Sequence, residues 1–83
     1  MARFYFDLHQ CGNITVDEEG HDVGDLVAAR AHAIHCARVV MVGELREGRL
    51  CLGCAIVIRD WIGTTVMAVP FNEAVAVTHI AGC

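Results

Sequence analysis

The sequence predicts an α+β fold: elements in the order β-β-α-β-β, a four-stranded antiparallel sheet with one long helix packed on one face. Three observations carry this. Residues 3–8 alternate apolar and polar with period two. Residues 26–47 repeat apolar positions at helical spacing behind a good N-cap. Two apolar runs near residues 55–59 and 64–69 flank a short turn containing Gly63.

Taken in order, Phe4, Phe6 and Leu8 share one side of the first strand, while Arg3, Tyr5 and Asp7 share the other. His9-Gln10-Cys11-Gly12-Asn13 supplies a turn, because Gly12 and Asn13 tolerate positive φ. Ile14-Thr15-Val16 resumes the alternation as a second strand, and the polar stretch Asp17–Asp22 ends it. Asp25 is an N-cap residue, and Leu26, Ala29, Ala33, Cys36, Ala37 and Val40 fall on a narrow arc of the helix that follows. Gly48 suits the C′ position, so the helix ends near Glu47. Ala55–Arg59 and Thr64–Val69 form the second hairpin around Asp60-Trp61-Ile62-Gly63, and Pro70 closes it. Asn72 is a candidate cap for a short final turn. A right-handed crossover favours the strand order 2-1-3-4, with 2-1-4-3 left open.

The ordered set Arg3-Phe4-Tyr5-Phe6, Asp17-Glu18-Glu19-Gly20, Asp25-Leu26, Ala28-Ala29-Arg30-Ala31, Ala37-Arg38 and Val69-Pro70-Phe71 resembles a family of small bacterial proteins, domain of unknown function 6894. The resemblance covers about residues 1–75, leaves 76–83 as an added tail, and implies a single domain in a bacterial cytoplasm. It brings no activity and no catalytic residues. The cysteines, the histidines and the apolar Trp61-Ile62 tip depart from the family pattern.

Composition narrows the function classes. The chain has 83 residues, 55% of them hydrophobic and 19% charged, with six Arg, no Lys and a net charge of −4. Such apolar content excludes disorder, and an acidic balance lacks the electrostatic footprint of a nucleic-acid binder. Asp7 interrupts the N-terminal apolar run too early for a secretory signal, and no uninterrupted apolar run has the length of a membrane span. A cytoplasmic protein with reduced thiols is the expectation.

Chemistry-bearing candidates centre on Cys51-Leu52-Gly53-Cys54, whose spacing suits two thiolates on one tetrahedral zinc. His32 and Cys36, one helical turn apart, are the candidates for a second pair. The same four residues underlie a thiol-dependent alternative. A redox Cys-x-x-Cys normally opens a helix, whereas this pair precedes a strand. The acidic stretch 17–25 lacks the ligand spacing of a calcium loop. A Cys36 nucleophile paired with His35 or His32 lacks an orienting third group, and so short a chain leaves little room for a substrate pocket.

The reading is therefore a non-catalytic interaction module without a bound cofactor, which associates with itself, as a dimer, or with another protein. Its alternative is a zinc site on Cys51, Cys54, Cys36 and His32. The second hairpin is apolar on both faces, so Val57, Met67, Trp61 and Ile62 are the expected interface residues.

Overall fold

The computed structural model describes residues 2–78. Its elements are β1 (Ala2–Gln10), β2 (Asn13–Thr15), β3 (His21–Val23), α1 (Leu26–Arg46), β4 (Ala55–Arg59), β5 (Thr65–Pro70) and α2 (Phe71–Ala74). All strand pairings are antiparallel, in the order β2-β1-β4-β5, so the 2-1-3-4 arrangement is the one adopted. The sheet has a fifth strand, because β3 also pairs with β1.

That extra strand corrects the expectation that the hairpin ends at Asp17. β2 pairs with the C-terminal end of β1 and β3 with its N-terminal end, leaving a bulged segment between them. Asp17 fills the gap. Its carboxylate accepts hydrogen bonds from the backbone N–H groups of Phe6, Glu19 and Gly20. Gly20 takes φ +72, and a Cβ there would sit 2.9 Å from the Phe4 carbonyl oxygen. Glycine is required on both counts. Within the acidic stretch Asp17 is thus a backbone clasp.

Helix α1 follows its local signals closely. The Asp25 side chain accepts from the Ala28 N–H at 2.8 Å. At the other end Gly48 takes φ +80; its N–H donates to Leu45 and that of Arg49 to Glu44, a Schellman motif. Ala29, Ala33, Ala37 and Met41 form the buried stripe against the sheet. Leu26, expected in that stripe, is exposed, and Val40 packs at its border. The small Ala side chains let the backbone approach the sheet, where Phe4, Phe6, Ile56, Ile58 and Val69 complete the core with Phe71 and Ala74. By length and mean composition α1 is apolar enough to cross a membrane, although Arg30 and Arg38 interrupt its apolar run. Here its Ala stripe serves as one wall of the core.

The tail turns at α2, whose N-cap is Pro70, without a side-chain cap; Asn72 does not play that part. Arg38 Nε donates to the Ala74 carbonyl at 2.8 Å and ties α2 to α1. The remaining expectation for the tail, at His79 and Ile80, lies outside the described residues.

On the face that α1 leaves open, Asp7 is not a solvated residue as its place in the alternation suggests. It is 5% exposed. Arg59 holds its carboxylate in a fork, Nε at 2.6 Å and Nη2 at 3.0 Å, and the Asp17 N–H donates to it at 2.9 Å. The Arg59 guanidinium also lies 5.0 Å from the Tyr5 ring centroid. Burial alone raises the Asp7 carboxyl, but the Arg59 and Asp17 donors outweigh it and bring the group below its ordinary value. Asp17 is likewise lowered, its three backbone donors overcoming its own burial. A carboxyl depressed in the folded state stabilises the fold above its unfolded pKa, and that contribution is lost as pH falls through the folded value. Urea unfolding is therefore expected to show a decline in stability below about pH 4 that these two carboxyls carry. Asp7→Asn, which leaves Arg59 half-paired, is expected to cost about 2–3 kcal/mol at pH 7 and to flatten the acid decline.

Candidate metal centre

Three thiols meet at one end of the sheet. β1 and β2 are joined by a two-residue turn, Cys11-Gly12, in which Gly12 takes φ +75 and leaves Cys11 at the tip. The register of β1 against β4 runs from Tyr5↔Arg59 to His9↔Ala55. Continued two residues further, it sets Cys11 opposite Gly53, between Cys51 and Cys54. The Schellman turn at Gly48 supplies the other half of the geometry. It reverses the chain after α1, so that Cys51–Cys54 lead into β4 beside the end of the helix. The Cys54 carbonyl accepts from the Phe71 N–H at 2.9 Å, which fixes the entry to β4.

The Sγ atoms of Cys11, Cys51 and Cys54 all lie within 4.8 Å of one another. Cys11 and Cys51 are 3.6 Å apart, and Cys54 donates to Cys51 at 2.8 Å. Cys11 is exposed, Cys51 half-buried and Cys54 fully buried, so the cluster runs from surface to core. Its electrostatics are uneven. Burial, then the hydrogen bond to Cys51, pushes the Cys54 thiol up to about 11. Cys51, accepting from Cys54, Cys11 and the Gly53 N–H, is lowered. Cys11 is raised, chiefly by its hydrogen bond with Cys51. Cys51 is therefore the first of the three to become a thiolate.

The three sulfurs share a pocket of about 250 Å³ with Gln10, Asn13, Glu44 and Arg49. Glu44 is 6% exposed, and its Oε1 is buried without a hydrogen-bond partner. It extends the buried stripe of α1, three residues beyond Met41.

The expected quartet is only half assembled. Cys51 and Cys54 are together, but their partner is Cys11 in place of Cys36 and His32. The His32 ring stacks on His21, with centroids 4.3 Å apart and planes 5° from parallel, and meets Phe6 edge-on at 4.6 Å. Burial first, then the neighbouring His21 and His35, lowers its pKa. Cys36 borders the core, where burial and then the Asp17 charge raise its thiol. Both are packing residues of the helix flank. Among the described residues Cys11, Cys36, Cys51 and Cys54 are free cysteines.

Of the expected interface residues, Trp61 and Ile62 do project from the β4–β5 turn, 65% and 73% exposed. Val57 and Met67 cannot share one patch. Val57 pairs with Ala68 on the open face, whereas Met67 pairs with the buried Ile58 and packs towards the core.

A family model described as Domain of unknown function (DUF6894) matches residues 3–72. The chain belongs to that family. The match spans the β1–β2 turn, the end of α1 and the Cys51–Cys54 segment, so every member of the thiol pocket lies in the DUF6894 domain. No curated protein and no solved structure matches the chain.

Proposed function

We propose that this DUF6894 domain is a small, non-catalytic binding module that holds one zinc-class cation on Cys11, Cys51 and Cys54. The observation that supports this reading is the convergence of three thiols from two segments distant in sequence, within 4.8 Å of one another. Thiolates are soft donors and select zinc or copper(I) over magnesium or calcium. A tetrahedral zinc with Zn–S bonds near 2.3 Å places its sulfurs about 3.8 Å apart. The Cys11–Cys51 separation of 3.6 Å is close to that edge. The Cys51–Cys54 pair at 2.8 Å opens by about 1 Å to reach it, a change within the range of a χ1 rotation.

The chemistry of the site fits a structural cation. A domain of 83 residues buries a small core, and metal binding adds directly to the folding free energy of such a domain. The three ligands join the β1–β2 turn to the α1–β4 connection.

Reduced protein with one equivalent of zinc is expected to carry one zinc per chain in native mass spectrometry. Cys11→Ser and Cys51→Ser are each expected to weaken zinc by about 100-fold or more, a loss beyond that of outer-shell changes, while Cys36→Ser and His32→Ala leave it unchanged. Because Cys54 and Cys11 are protonated at neutrality, binding should release about two protons or more and weaken steeply as pH falls. Zinc retained by Cys11→Ser but lost in Cys36→Ser or His32→Ala would overturn the reading.

A second reading concerns self-association, as a dimer in the cytoplasm, and is favoured by the exposure of Trp61 and Ile62 at one hairpin tip. Large apolar side chains at a turn are costly in water and serve as interface anchors. Val57, on the open face of the same hairpin, extends the surface. Sedimentation at tens of micromolar is expected to give a dimer that Trp61→Asp combined with Val57→Lys converts to monomer. A monomeric wild type would exclude it.

A further inference from the structure

We infer that Glu44 is the fourth ligand of this centre, closing a site of three thiolates and one carboxylate around the cation. The inference rests on the metal reading above and deepens it. Glu44 is 94% buried, by its exposure of 6%, and its Oε1 makes no hydrogen bond. Buried carboxylates are paired or coordinate metals, yet among the described residues no cation is bonded to this one. Arg49 lines the same pocket, but its guanidinium is engaged with Glu47 at 3.1 Å. Glu44 also stands in the last turn of α1, where the helix dipole disfavours a negative charge and favours a positive one. A cation in the thiol pocket answers both liabilities. It neutralises the buried carboxylate and occupies the end of the helix that attracts positive charge.

The placement is consistent with the donor set. Glu44 lines the pocket together with Cys11, Cys51 and Cys54. Its carboxylate stands outside the tight group of three sulfurs, so ligation proceeds by rotation of its side chain, which has the torsions to turn towards them. Zinc accepts carboxylate oxygen beside sulfur, and four protein ligands make a closed, structural site. With Glu44 absent, the fourth position falls to water, and a metal-bound water titrates between about pH 7 and 9.

The test uses the full chain loaded with cobalt(II) as a spectroscopic substitute, together with zinc competition and melting of the metal-free protein. The wild type should show a tetrahedral cobalt spectrum that is constant from pH 7 to 9. Glu44→Ala should give a spectrum that titrates in that range, and Glu44→Gln should weaken zinc by about 10-fold or more. In the metal-free state both variants should melt at or above the wild-type temperature, because each removes an unpaired buried charge. A pH-independent spectrum in Glu44→Ala with zinc affinity within about twofold of wild type would overturn the assignment while leaving the three-thiol site intact. A metal-free Glu44→Gln that melts well below wild type would also overturn it, by showing that the carboxylate supports the fold directly. Failure of the wild type to bind either metal would overturn the metal reading itself.

Discussion

The Asp7 carboxylate is a buried charge on the open face of the sheet, and three segments depend on how it is satisfied. Arg59 grips it from β4 and the Asp17 N–H from the bulge between β2 and β3. In an antiparallel pair a one-residue slip sends every side chain to the other face. Here such a slip would carry Arg59 into the apolar core and leave Asp7 buried and unpaired, a cost several times that of an ordinary lost contact. Asp7 and Arg59 thereby fix the register of the two central strands. That register places Cys11 beside Cys51 and Cys54.

The thiol pocket is thus built from two kinds of determinant. Long-range pairing brings the β1–β2 turn to the start of β4. Local helix-stop chemistry, with Gly48 in the left-handed region, returns the chain so that Cys51 follows the end of α1 at close range. The pocket is graded from the exposed Cys11 to the buried Cys54, whose thiol is pushed up to about 11 by burial and then by its hydrogen bond to Cys51. On the proposed reading, a cation entering this gradient would displace protons as it binds, which would couple metal, pH and folding.

Much of the fold was legible because it is encoded locally. Asp25 and Gly48 bracket the helix, the Phe4-Phe6 alternation marks β1, and Gly63, at φ +94, turns the second hairpin. The rest depends on contacts that no window of sequence contains. Asp17 reads as a solvated loop residue until its carboxylate is seen to replace a missing strand partner for Phe6. Asp7 reads as an outward polar residue until Arg59 covers it. Half of the candidate site was legible, since Cys51 and Cys54 announce themselves by spacing. Cys11 needs the β1–β4 register, and spacing along the helix points to His32 and Cys36 instead. Glu44 did leave a signal: it continues the apolar stripe of Ala33, Ala37 and Met41 at helical spacing, where a charge is out of place.

The central claim, that the β1–β2 turn and the end of α1 jointly hold one cation, is tested most directly by X-ray absorption at the zinc edge of the loaded, reduced full-length chain. The account predicts a first shell of three sulfurs at about 2.3 Å and one oxygen at about 2.0–2.2 Å. A shell with two sulfurs and two imidazole nitrogens, or one with no sulfur at all, would contradict it.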